Sequence, residues 1–445
     1  MLFYSPVITE RLRFIVDFFN KELFDEQMII TNDLQIFRDE PNPKINYGRL
    51  PVSENEFRVC PVSLLMENNI IEQELNIFEV FGHKGLFPTY GGDFPFDIFS
   101  ASFYLMVRYE EYLPYEKDFY GRYAYLNSVA YREKFLDFPL VNFWIIHFRR
   151  ALLARFPAIS LKKKTFSFLP TYDIDIAFSY SGKGRGRNLG GALKSFFTFR
   201  PGALWRRIQV LRGKRKDPFD TYEWLDKLHN KFKLAPRYFF LLAGKSLGYD
   251  KNILPTEPIL QDLVRFVSEK NDVGIHPSWQ SFEDPELLRE EINTLNELTG
   301  VTTTHSRQHY IRFTLPGTFR ELVEAGITDD YSMGYGSING FRASVSSSFY
   351  FYDLLKEEKT ALMLHPFCFM DANAYYEEKL NVESAFEQLA KYQDIISKVN
   401  GNMVTIWHNQ FLGTDRAFQG WKELYEKFIS EKIVKMKAMP VDQTG

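Results

Sequence analysis

The chain has 445 residues, 45% hydrophobic and 25% charged, a globular composition with enough apolar material for a sizeable core. Lys and Arg total 54 against 57 Asp and Glu, and the net charge of −3 excludes the basic balance of a dedicated nucleic-acid binder. Two cysteines, Cys60 and Cys368, exclude a disulfide framework and a cysteine-rich zinc site.

At the N-terminus, MLFYSPVITERLRF lacks a basic stretch followed by an apolar one, so no export signal is expected. Thr9 to Lys21 has helical periodicity, and Phe96 to Tyr112 is apolar and aromatic-rich. Its strongly apolar part, Ile98 to Val107, is ten residues long, short of the roughly 20 needed to span a membrane. A cytoplasmic location follows as the expectation, with extracytoplasmic action left open. Residues 1–164 read as a smaller mixed α+β domain that closes at the run Lys162, Lys163, Lys164. This part carries no constellation of catalytic residue types and reads as a packing or substrate-positioning domain. Aromatics reach 17% of the chain, a density that suits thick cores and sugar-stacking clefts alike.

From residue 165 to 445 short β-type runs alternate with helical patterns. Seven candidate strands are TFSFLPTYDID (165–175), PRYFFLLAG (236–244), DVGIH (272–276), VTTTHSRQHYIRF (301–313), GITDDYSMGY (326–335), TALMLHPF (360–367) and MVTIWHN (403–409). Asp284 and Pro285 open a helix that Gly300 stops, and a second helix carrying Phe386, Leu389, Ile396 and Val399 closes at Gly401. This alternation predicts an α/β barrel or an open parallel sheet, with the active site at the strand ends. A basic insertion lies near 181–217. Between Lys183 and Lys216 it holds eleven Lys or Arg and no acid, interleaved with Phe196, Phe197, Phe199, Leu204 and Trp205. It could touch an anionic membrane surface or an acidic glycan, or form a solvated loop with one short helix.

Five of the eight histidines fall between residues 276 and 408. Asp173 and Asp175 in TYDIDIAF share one face of a strand, where a divalent cation would relieve their repulsion. His276 ends an apolar strand before Pro277, and imidazole with carboxylate suits zinc, cobalt or nickel. Arg307 and His309 alternate on a predicted strand, with His305 on the same parity, and Arg307 could grip a carboxylate. His408 closes the last apolar strand, a natural place for a general acid, with His365 its competitor. Arg342 and Asp371 could pair around the site.

In order and spacing, YDID, GIHPSWQS, SRQHYIRF and WHN resemble the polysaccharide deacetylases of carbohydrate esterase family 4 (the NodB homology domain). The nearer resemblance is to a bacterial branch with a preceding accessory domain. The resemblance covers roughly residues 165 to 430 and implies a distorted seven-stranded (β/α) barrel. It implies a metal-dependent hydrolase that removes acetyl groups, N-acetyl first, from a polysaccharide or glycan precursor. By this likeness Asp173 is the catalytic base, Arg307 orients it and His408 is the general acid. Asp175 and His276 then hold a divalent metal, zinc first, with His309 replacing the family's second histidine. Trp279, Tyr310, Tyr335 and Arg342 contact substrate. Two departures stand out: Ile174 separates aspartates that are adjacent in the family, and Gln280 stands where its second histidine is expected. A metal-free carbohydrate-binding protein on the same fold and a DxD glycosyltransferase are the alternatives.

Overall fold

The Thr9 side chain accepts from the Leu12 amide and caps helix α1 (Glu10–Leu23), where the sequence pattern places a helix. Strands β1 (Leu2–Tyr4), β2 (Ile29–Thr31), β3 (Lys44–Tyr47) and β4 (Phe57–Val59) form a parallel sheet in the order β2-β1-β3-β4. Phe3 of β1 and Phe19 of α1 pack on Phe99 of α2 (Ile98–Met106), with ring centroids 5.3 and 4.8 Å apart. Phe148 of α3 (Leu140–Arg155) closes the group at 5.7 Å from Phe99. Much of the phenylalanine content here is core. β5 (Phe78–Val80) and β6 (His83–Gly85) make an antiparallel pair. The computed structural model describes residues 1–184, 186, 188 and 201–434.

The seven strands expected after residue 165 all form, most of them shorter than their apolar runs. They are β7 (Ser167–Ile174), β8 (Arg237–Phe240), β9 (Asp272–Ile275), β10 (His305–Ser306), β11 (Asp329–Asp330), β13 (Glu358–Leu364) and β15 (Asn402–His408). Two further strands, β12 (Phe349–Asp353) and β14 (Phe369–Met370), were not predicted. The nine make one mixed α/β sheet in the order β12-β13-β11-β10-β9-β8-β7-β15-β14, parallel throughout except at β12/β13. The seven expected strands are thus consecutive parallel neighbours, and the last, β15, returns beside the first, β7. β12 and β14 extend the two ends, and no pairing joins those ends among the described residues.

Helices α4 (Pro201–Leu211), α5 (Tyr222–Phe232), α6 (Pro258–Ser268), α7 (Pro285–Thr299), α8 (Gly317–Glu324) and α9 (Val382–Lys398) lie in the connections, and α10 (Trp421–Phe428) follows β15. As expected, Asp284 caps α7 and Gly300 ends it with a left-handed φ of 73°. α9 stops three residues before Gly401, and Asn400 takes the left-handed turn at φ 49°. The run 301–313 is not one strand. Tyr310 and Ile311 have φ values of 60° and 53°, which break the ladder after Ser306 and make a tight turn. Part of the expected basic insertion (185, 187 and 189–200) lies outside the described residues. Its base is fixed by Asp217, whose carboxylate accepts from the amides of Ser179, Tyr180 and Ser181. Among the described residues no helix is long and apolar enough to cross a membrane.

Candidate active site

Parallel strands deliver their carboxyl ends to one edge of the sheet, and the candidate residues gather there. Asp173 is the penultimate residue of β7 and Asp175 follows the strand directly. His276 follows β9, Arg307 follows β10, Asp371 follows β14, and His408 is the last residue of β15. Asp173 and His408 are register partners on neighbouring strands. The Asn409 amide then donates to the carbonyls of Ile176 and Ala177, which fixes the loop that leaves Asp175.

Three imidazoles are anchored in the same way. His276 Nδ1 donates to the Arg307 carbonyl at 2.5 Å, His309 Nδ1 to Asp250 at 2.9 Å, and His408 Nδ1 to Asp371 at 2.6 Å. A carbonyl or carboxylate oxygen only accepts, so each Nδ1 carries its proton and each Nε2 is left to face inward. All three Nε2 atoms converge on Asp175, at 3.2 Å from His276, 3.7 Å from His309 and 3.6 Å from His408. Burial opposes a charged ring at His309, yet Asp175 and Asp250 override it and raise the ring to about 9. Burial likewise opposes charge at His408, and Asp371 with Asp175 and Asp173 raises it to about 10. Burial pushes Asp175 up, but the three histidines more than reverse this and hold its carboxyl well below the usual range.

The same field that raises proton affinity favours a metal cation. Ligand atoms of Asp175, His276 and His309 lie within 4.8 Å of one another. Asp175 Oδ1 is buried without a hydrogen-bond partner, and each histidine presents an unanchored Nε2 backed by an oxygen acceptor. That donor set fits a divalent cation, with Arg307 O and Asp250 as the outer partners that orient the rings.

Asp173 is held differently from Asp175. Arg307, fully buried, donates to its Oδ1 at 2.8 Å and to Thr171 at 2.7 Å, while its Nε binds the Tyr331 carbonyl. The two acids are therefore not equivalent: one is fixed by a guanidinium and the other faces imidazoles.

Gln280 donates to Asp250 at 2.9 Å and so supports His309 from behind. Trp279 and Tyr310 flank this side, and the Tyr310 ring lies 4.7 Å from that of His309. Tyr335 and Arg342 are not brought to the cluster. They are 2% and 1% exposed, and Arg342 makes a bidentate pair with Glu111, Nη2 to Oε2 being 2.6 Å. Tyr335 and Glu110 join through Arg108. His365 also lies in another group, between Ser348 and Asp329, with His305 3.7 Å from the same carboxylate. His305 thus turns away from Arg307 and His309, because the strand that would have aligned the three ends at Ser306. Sequence reading missed Asp250. It sits in the loop GYDKN, 59 residues from its partner His309, with no local pattern to mark it.

Residues 1–157 match the model of a family of unknown function, DUF7033. No curated protein matches the chain. Among solved structures it is similar to a protein of Mycobacterium smegmatis assigned as a polysaccharide deacetylase, at 14% identity and a TM-score of 0.39, over 61% of this chain and 86% of that one. It is also similar to a polysaccharide deacetylase of Bacillus cereus, at 12% identity and a TM-score of 0.28, over 61% of this chain and 89% of that one.

Proposed function

We propose that the protein is a metal-dependent deacetylase of a glycan, with residues 1–164 as an accessory domain and residues from 165 onward as a distorted (β/α) barrel. The observation that carries this reading is the convergence of three anchored Nε2 atoms on Asp175 beside an arginine-held Asp173. The order of the four sequence phrases supports it. Asp175, His276 and His309 would hold the cation, and imidazole with carboxylate suits zinc. When bound, it would acidify water and polarise the acetyl carbonyl. Asp173, fixed by Arg307, takes the proton of the attacking water. His408 approaches from the adjacent strand as the imidazolium, kept charged by Asp371, and gives its proton to the departing amine. Tyr310 borders His309 and Trp279 borders Tyr310, and ring faces there suit a pyranose.

Acetate release from acetylated chitin oligosaccharides, followed with and without added zinc and in Asp173→Asn and His408→Ala, tests the reading. Zinc-dependent release that falls in both variants is expected. Full activity in both variants, or release indifferent to metal, overturns it.

A further inference from the structure

The hairpin 117–123 belongs to the region matched by the family of unknown function, yet it lies against the candidate site. Lys117 bridges Tyr123, and Gly121 turns the chain at φ 76°. The Asp118 carboxylate accepts from the amides of Tyr120 and Arg122 and from Arg122 Nε, which makes the hairpin rigid. Arg122 Nη1 then donates to the carbonyl of Tyr310 at 2.6 Å, the residue after His309 and the first of the two left-handed ones. A non-glycine pair in that conformation persists where its surroundings over-determine it, and the hairpin supplies part of that hold.

The same contact delivers a ring. The Tyr120 centroid is 5.3 Å from Tyr310, 5.8 Å from Tyr249 and 6.2 Å from Trp279. Phe119, 86% exposed, extends the ring surface outward. Four half-buried aromatic rings from two distant parts of the chain thus form one cluster, joined to His309 through Tyr310. Tyrosine offers an apolar face with a hydroxyl at its rim, the match for a pyranose with its C–H face and hydroxyl edge.

We propose that Tyr120, with Tyr249 and Tyr310, walls a subsite for a pyranose ring next to the one being deacetylated, so that the N-terminal region selects for chain length. This rests on the glycan reading above but not on the hydrolytic step. The test is calorimetric titration of the full chain, treated with chelator, with pentasaccharides of acetylated chitin, cellulose and xylan and with the corresponding monosaccharides. At least one pentasaccharide should bind about tenfold more tightly than its monosaccharide. Tyr120→Ala should erase most of that difference and Tyr120→Phe should keep it, with circular dichroism reporting the fold of each variant. Wild-type protein that binds none of the pentasaccharides, or Tyr120→Ala with undiminished chain-length preference, overturns the subsite. Tyr120-dependent binding without metal-dependent acetate release would leave the subsite standing and end the hydrolytic reading.

Discussion

Two buried charge clusters of this molecule are built on opposite rules. Between the N-terminal region and the nine-stranded sheet, Arg108 and Arg342 meet Glu110 and Glu111, two cations against two anions, with each glutamate bonded to an arginine. At the strand ends, Asp173, Asp175, Asp250 and Asp371 face a single arginine, Arg307, and three histidines. The first cluster is balanced and closed, as buried ion pairs must be if they are not to cost stability. The second leaves charge unbalanced and an Asp175 oxygen unbonded. Strongly shifted titratable groups of this kind cluster at functional sites.

The contrast is sharpest at Asp173. Asp173→Asn should lower kcat/KM for acetate release by about 10³-fold, within the range of a lost general base, while bound zinc measured by elemental analysis stays stoichiometric. Glu111→Gln should do the reverse. It leaves the Arg342 guanidinium buried and half-paired, so urea unfolding should show a loss of about 3 kcal/mol with zinc stoichiometry unchanged. If metal binding vanished with it, the two clusters would not be independent. Asp250→Asn should weaken zinc affinity about 10- to 100-fold in a chelator competition, the size typical of a lost outer partner. Asp371→Asn removes the main influence that raises His408, so the alkaline limb of the pH–rate profile should move to lower pH.

The smallest expected effect lies in the pair outside both clusters. Burial pushes Asp329 up, but its bonds to His365 and Thr328 win and lower it to about 2. A carboxyl lowered on folding stabilises the protein above its ordinary value near 3.8 and loses that contribution as pH falls toward 2. The group is 26% exposed, so solvent screening holds this to about 1 kcal/mol. Asp329→Asn should therefore flatten the fall in stability between pH 4 and 2 by about that amount, with zinc content unaffected.

The positions of the seven strands were legible because buried parallel strands read as apolar runs ending at polar residues. His276 and His408 stood out for the same reason: each ends such a run. The length of β10 was not legible, since TTTHSRQHYIRF alternates well and nothing local announces left-handed backbone at Tyr310 and Ile311. β12 was overlooked although FYFYD is rich in β-forming residues, because it joins the sheet antiparallel, outside the strand–helix rhythm. Arg342 and Tyr335 misled because residue type does not reveal burial, and Glu111, the acid that engages Arg342, lies 231 residues away. Asp250 was invisible on the same grounds of sequence distance.

The register of β7 and β15 carries a last consequence. Seven successive residues pair along these two strands, and the final pair is Asp173 with His408. Amide hydrogens in this ladder should be among the slowest of the molecule to exchange with deuterated water, since exchange there requires opening of its centre. The groups assigned to proton transfer then ride on the least yielding part of the chain, and no hinge or closing loop is needed to bring the two together.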